Sequence, residues 1–301
     1  MVRRQSPARG FTLIEMIIAI VLVAILAMAA APMLRLPLTT WNDASRRAEL
    51  AQSLDTVHAK LADDLRRALP NSVRIRTVGT RVYLETLEVR ARGRARADTS
   101  GAAQACPASC STAGRDDLLE AGCSETCFTA LGTLEGEVPV PGTDWVVVNP
   151  LGPGVPSGDP YFGGNVAVAN GIKTRLNAVA AAADGQRLDI AAHTFPALPT
   201  GNTFYLVATP VTWECNLTTR QLVRRWGYPV SAVQPVAFGG ATPSAPLATT
   251  VDACSFRYQP AGSLGRGGVV HATVRLSLNV TATAQAERVQ FVAALPVSEG
   301  P

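Results

Sequence analysis

The sequence predicts an α+β protein: a long N-terminal helix, apolar in its first half and amphipathic in its second, packed on an antiparallel β-sheet head with a cysteine-rich insertion. Three observations predict it. Phe11 to Ala31 is a run of 21 residues in which Glu15 is the only charge. Apolar residues then recur every three or four positions as far as Leu69, the spacing of one helix face. Beyond residue 71 the chain is dominated by short β-branched and aromatic runs, without intervening helices long enough for repeated βαβ crossovers.

The apolar run comes first. At about 1.5 Å per residue it can cross a hydrocarbon core of roughly 30 Å as a helix. Arg3, Arg4 and Arg9 precede it and no lysine or arginine interrupts it, so the N-terminus is expected on the cytoplasmic side and the rest of the chain outside the inner leaflet. An ordinary secretory signal is the rival reading, because "AILAMAAAP" offers small residues for cleavage. Glu15 counts against it: a carboxylate at the centre of a bilayer costs about 2.5 to 3.5 kcal/mol, and a discarded peptide gains nothing from that cost.

The stretch "RGFTLIE" followed by a long apolar helix resembles the signal of type IV pilins and type II secretion pseudopilins. The resemblance implies that a prepilin peptidase removes residues 1–10 by cutting between Gly10 and Phe11. It also implies that the new amine of Phe11 is methylated, and that 11–34 stays in the mature chain as a transmembrane and filament-core helix. Glu15 would then pair with the Phe11 amine of a neighbouring subunit, each charge offsetting the other in a low-dielectric setting. The segments "LADDLRRALPNSVRI", "DWVVVNP", "TFYLVATPVTWEC", "LVRRWGYPV" and "CSFRYQP" are similar in order and spacing to the MshO-like minor prepilins of mannose-sensitive haemagglutinin pili, a group related to the larger minor pseudopilin of type II secretion. What this implies is a non-enzymatic, single-pass inner-membrane subunit with a periplasmic head, used to initiate or cap a filament. Its partners would be the prepilin peptidase, other minor and major pilin-like subunits, the inner-membrane assembly platform and membrane lipid. The loop from Arg90 to Ala105 and the terminal "ALPVSEGP" depart from the family pattern.

Charge excludes little but is informative in one respect. The 27 basic and 23 acidic residues give a net +4, yet three of the arginines lie in the leader, and the remaining 24 nearly balance the acids. No nucleic-acid partner is implied: Arg90, Arg92, Arg94 and Arg96 cluster without interleaved aromatics and read as a solvated loop. Six cysteines, at 106, 110, 123, 127, 215 and 254, form an even set that an exported chain can bridge. Density along the chain favours Cys106, Cys110, Cys123 and Cys127 closing among themselves in an insertion over 90–130. Cys215 and Cys254, each beside a strand-like run, are expected to pair across the sheet. A four-thiolate zinc site is the alternative for the first four, although their C-x3-C spacings differ from the usual C-x2-C knuckles.

Along the chain, Pro32 and Pro37 are expected to bend or interrupt the helix. An amphipathic helix over 35–70 follows, with Trp41, Ala44, Ala48, Ala51, Leu54, Val57, Leu61, Leu65 and Leu69 as the docking stripe and Pro70 with Asn71 closing it. The β-rich head, 71–301, begins with a hairpin turning near Gly79, with Val73, Ile75, Val82 and Leu84 facing inward. Residues 150–165 read as an ordered loop rich in Gly and Pro. The later strands include "RLDIA", "FYLVATPV", "QLVRRWGYPV", "SFRYQP", "VVHATVRLSLNVTA" and "ERVQFVAAL", and Val270, Ala272, Val274, Leu276, Leu278 and Val280 share one face.

Catalytic signatures are absent from the sequence. His58, His193 and His271 are far apart and belong to no metal motif; there is no G-x-S-x-G, no H-E-x-x-H and no phosphate-binding loop. Asp116, Asp117, Glu120 and Glu125 lack the spacing of a calcium loop and read as a solvated patch. No cofactor or metal is expected. An adhesive head remains compatible with the pilin reading if Tyr161, Phe162 or Trp226 surround a groove.

Overall fold

The structure is a computed structural model that describes residues 12–96, 118–182, 185–199, 201–260, 268–278 and 287–297. One helix, α1 (Leu13–Arg66), precedes thirteen strands in the described residues. The chain divides into two compact units, Met1–Ala51 and Gln52–Pro301. The first is helical from Leu13 onward, and α1 continues past Pro32 and Pro37 without interruption. A proline removes one amide donor, and the hydrogen bonds of neighbouring turns hold the helix through that loss.

Gln52–Arg66 carries the amphipathic pattern into the second unit. Leu54, Val57, Leu61 and Leu65 are buried, whereas Asp55, Thr56, His58 and Ala59 between them are exposed. The expected stripe is therefore too long at its start: Trp41, Ala44, Ala48 and Ala51 are exposed. The helix also ends earlier than Pro70. Arg67 leaves the helix, Ala68 bridges Glu88, and Leu69 N donates to Leu87 O at 2.7 Å, so sheet pairing takes over before the proline is reached.

The sheets are antiparallel throughout. Strands β1 (Arg74–Val78), β2 (Arg81–Arg94), β3 (Ser124–Leu131), β4 (Glu135–Gly136), β5 (Trp145–Val148), β6 (Lys173–Ala182), β7 (Gly185–Thr194), β8 (Thr203–Asn216), β9 (Gln221–Trp226) and β10 (Ser244–Thr249) form a ten-stranded sheet. Its main path is β1-β2-β8-β5-β6-β7-β3, with β4 added to β2 and the β9–β10 pair added to β8. The path curls, because β3 at its far end returns to the end of β2: Ala95 bridges Ala130, and Arg96 N donates to Thr129 O at 3.0 Å. Phe128, Val146, Val148, Leu176, Leu188, Ile190, Phe204 and Leu206 fill one core of this curled sheet. A second core collects Leu69, Leu87, Trp145, Val147, Tyr161, Ile172, Val207 and Val230. Strands β11 (Val251–Gln259), β12 (Val269–Leu278) and β13 (Glu287–Pro296) make a separate three-stranded sheet. Together, an amphipathic helix on a curled antiparallel sheet is the pilin-like α+β architecture that the sequence leads one to expect.

Four local expectations are corrected. The hairpin does turn at Gly79, whose φ of 58° suits a residue without a Cβ, but β2 does not alternate. Tyr83, Leu84, Glu85, Thr86 and Leu87 are all buried, while Ile75 and Val82 are only half-buried. The face left for solvent is covered by the segment after β9: Tyr83 donates to Val236 O at 3.0 Å, and Gln234 donates to Tyr83 O at 3.3 Å. Next, Arg90, Arg92 and Arg94 belong to β2 instead of a solvated loop, and they meet Asp144 at 3.0 Å, Glu135 at 2.8 Å and the Gly201 carbonyl at 3.2 Å respectively. The cysteine-rich insertion expected as a loop over 90–130 is not all loop, since Ser124–Leu131 is strand β3, which pairs with β7. Finally, Tyr228–Val230 lies outside β9, which ends at Trp226.

Candidate assembly site

Thr12 and Glu15 begin α1 three residues apart, the spacing that lets an N-cap side chain and the third helical residue serve one another. Glu15 N approaches Thr12 Oγ1 at 3.4 Å, and the Thr12 hydroxyl approaches Glu15 Oε2 at 3.5 Å. The carboxylate thus sits at the positive end of the helix dipole. Both contacts are long and both residues are exposed, which leaves the carboxylate oxygens open to a stronger donor. Thr12 is the residue sequence reasoning missed here, although "TLIE" displays the spacing. Gly10 and Phe11 lie outside the described residues.

From Leu13 to Ala30 every residue is exposed, including Ile14, Met16, Ile17, Ile20, Val21, Leu22 and Ile25. An apolar surface on all sides of a helix has no internal partner to offset the cost of water contact. The segment is long and apolar enough to span a membrane or to act as a signal sequence.

The head is organised by polar anchors instead. Asp64, 6 % exposed, accepts from Trp213 Nε1 at 2.9 Å and from Arg224 Nε and Nη2 at 2.6 and 3.0 Å, tying the helix to β8 and β9. Lys60 lies 3.2 Å from the same carboxylate. Glu85 is fully buried; Arg74 meets both its oxygens at 3.0 Å, yet burial raises its pKa, with Arg74 acting in the opposite direction. The loop 150–172 is fixed from beneath by Lys173, 2 % exposed, whose ammonium donates to the carbonyls of Pro160 and Phe162. Burial pushes the Lys173 pKa down to about 8, opposed by the charge of Asp159. Asp64 could not be singled out from sequence, because its partners on β8 and β9 are up to 160 residues away.

Several candidate residues are not assembled into a site. Tyr161 is buried with its hydroxyl on Ser72 O at 2.7 Å, and Trp226 is half-buried beneath Arg224 at 4.8 Å. Phe162 is exposed, so these three aromatics line no common groove. His193 is buried against Gly171 O at 2.7 Å, whereas His58 and His271 are exposed on other elements. Among the described residues no group of three or more His, Cys, Asp or Glu side chains could hold a metal ion. Asp116 and Asp117 lie outside the described residues, and Glu125 accepts from Glu120 N at 3.3 Å.

The cysteines divide into two sets. Cys123 and Cys127 are disulfide-bonded, and Cys106 and Cys110, expected to close with them, lie outside the described residues. Cys215 and Cys254 are brought together as free thiols, not as the expected bridge, and they sit on different sheets: Cys215 is buried on β8 and Cys254 half-buried on β11. The neighbouring Cys215 thiol, and then burial, raise the pKa of Cys254.

Comparison with protein families places residues 5–31 in a match to the family described as the prokaryotic N-terminal methylation motif. No curated protein and no solved structure matches the chain. The protein is thus prepilin-like, with an N-terminal cleavage and methylation motif of the kind found across the type IV pilin and pseudopilin superfamily, and with a pilin-like fold.

Proposed function

We propose that the chain is a minor pilin or pseudopilin, a structural and non-enzymatic subunit that helps initiate or cap a filament. The observation that carries this reading is the methylation motif at residues 5–31 running directly into a helix whose apolar side chains are exposed on every side. Prepilin peptidase cuts between Gly10 and Phe11 on the cytoplasmic face and methylates the Phe11 amine. The 11–34 helix holds the subunit in the inner membrane, in contact with lipid, with the head in the periplasm. On assembly the helix leaves lipid for the apolar helices of other minor and major subunits, driven by the inner-membrane platform.

Glu15 supplies the recognition chemistry. Its carboxylate, held among the described residues by the long Thr12 contacts, exchanges that neutral donor for the charged amine of a neighbouring Phe11. A charge-assisted hydrogen bond is about twice as strong as a neutral one, which favours the exchange where water is excluded. The order and spacing of head segments support a filament of the mannose-sensitive haemagglutinin type, with the subunit in a tip complex; a type II secretion pseudopilus uses the same chemistry.

Mass spectrometry of the mature N-terminus tests the reading. A methylated Phe11 is expected, and a chain beginning near Pro32 refutes it. Glu15→Ala should be cleaved normally but enter filaments poorly, and normal incorporation would refute the pairing. Gly10→Val should remain full length.

A further inference from the structure

We propose that the cleft between β5 and β9, where the ten-stranded sheet splits along β8, binds a sugar acid: a single hydroxylated ring whose carboxylate is taken by Arg175. β8 is paired with β2 along its whole length. On its other side β5 covers residues 204–207 and β9 covers residues 211–216. Ala208, Thr209 and Pro210 lie between, with no strand partner on that side among the described residues. The β2–β8 register slips at the same place, between Leu87 and Val89, as at a bulge. Residues 142–144 before β5 and 227–230 after β9 wall the gap into a cleft of about 290 Å³.

The charges give the cleft its sign. An alternating run leads to it from the helix: Asp63 to Arg67 at 3.5 Å, Arg67 to Glu137 at 2.7 Å, Glu137 to Arg90 at 3.5 Å and Arg90 to Asp144 at 3.0 Å. Asp144 is fully buried and already committed, since its oxygens accept from Arg90 and, at 2.7 Å, from Val140 N. Arg175 comes next and ends the run. It lies 3.6 Å over the ring of the buried Trp145 and donates to the Thr143 carbonyl and, at 2.7 Å, to Asn165 Oδ1. Both acceptors are neutral, and no carboxylate among the described residues pairs with it. Burial lowers its pKa, with the charge of Asp144 acting in the opposite direction. A guanidinium offers five N–H donors in a fork that matches a carboxylate, so a half-buried Arg175 held by two neutral acceptors lacks one monoanion.

The rest of the lining decides what carries that carboxylate. The Thr209 hydroxyl and the Asn165 amide nitrogen have no protein partner among the described residues, and with the open stretch of β8 they suit ring hydroxyls. A zwitterionic amino acid does not fit, because its ammonium would need a carboxylate and Asp144 is taken. An added peptide strand does not fit either, since three open residues fall short of the usual strand of about 5 to 6. The volume is at the small end of ligand sites, which run from roughly 300 to 1,000 Å³, and matches a single ring. This concerns the head alone and does not rest on the assembly reading above.

Ligand-observed NMR tests the proposal on the full-length chain, at low salt and in a detergent without a sugar headgroup. Methyl glucuronide should bind. Methyl glucoside, which has a hydroxymethyl group in place of the carboxylate, should bind about tenfold more weakly or worse, the factor that a hydrogen bond to a charged group carries. Acetate, which has the carboxylate without the ring, should be as weak. Arg175→Gln should lose the preference for glucuronide over glucoside. Thr209→Val, which keeps the side-chain volume, should weaken both sugars, while Arg257→Gln, exposed on β11, should bind as the wild type does. Arg175→Gln also uncovers Trp145, so the comparison of the two sugars on the wild type, which needs no variant, is the independent reading. Equal affinity for the two sugars, acetate binding as tightly as the glucuronide, an unchanged preference in Arg175→Gln, or no binding to the wild type would each overturn the proposal.

Discussion

Two stretches of the same helix behave in opposite ways. Leu13–Ala30 is apolar around its circumference and exposed among the described residues. Gln52–Arg66 is apolar on one stripe, and that stripe is buried beside an anchored carboxylate at Asp64. Helix propensity does not distinguish them, since both are helical. What differs is where each finds its partner: the second stretch finds it in its own sheet, and the first finds none among the described residues.

The contrast is most severely tested at Asp64. Replacing it with Ala leaves Arg224 without its carboxylate and the Trp213 indole N–H without its acceptor, both in a buried setting. Removing one partner of such a pair costs about 3 to 5 kcal/mol. A denaturant titration should show a loss near the upper end of that range; a loss below about 1 kcal/mol, the range of exposed ion pairs, would mean the anchor is not holding the helix. Leu61→Ala should come next, at about 3 kcal/mol, because a buried leucine leaves both lost transfer energy and a cavity. Its exposed neighbour His58, changed to Ala, serves as the control within about 0.5 kcal/mol apart from its edge contact with Phe291.

How far these two stretches were legible in the sequence follows from where their information lies. The apolar run needs only length and composition, and the Leu54 to Leu65 stripe only local period. Both are readable. The stripe was over-extended to Trp41 because periodicity marks a face without saying whether anything covers it. β2 was misread for the complementary reason: Tyr83 and Glu85 alternate as if solvent-facing, and only the distant 234–236 segment buries them. β6 was not expected, since "KTRLNAVAAA" has weak strand propensity, and pairing with β5 and β7 on either side decides it.

Lys173 sharpens the contrast from the opposite direction, as a charge enclosed by the head where the N-terminal stretch leaves apolar groups uncovered. Its folded pKa of about 8 lies below the 10.5 of an unperturbed lysine. Between those values the unfolded chain binds the proton that the folded protein has released, so stability from this group rises with pH across the window. Below pH 8 both states are protonated and the full cost of burying the ammonium remains. Set against Lys173→Met, the wild type should therefore gain about 2 to 3 kcal/mol between pH 7 and pH 10. A difference independent of pH would show that the two carbonyls fully compensate the burial.

The smallest expected effect on the head is the most telling for the comparison. Ile20→Asp places a carboxylate midway along the exposed apolar stretch, where it breaks no internal contact of the described chain. The unfolding free energy of the head should change by less than about 0.5 kcal/mol. Membrane insertion should suffer by about 3 kcal/mol, the cost of an aspartate at the centre of a transmembrane helix. The same substitution at Leu61 would unfold the head, since a charge there is cut off from water. If Ile20→Asp lowers the stability of the detergent-solubilised head as Leu61→Asp does, then the first stretch has a partner within its own chain. The division between a helix that serves the fold and a helix that serves assembly would then fail.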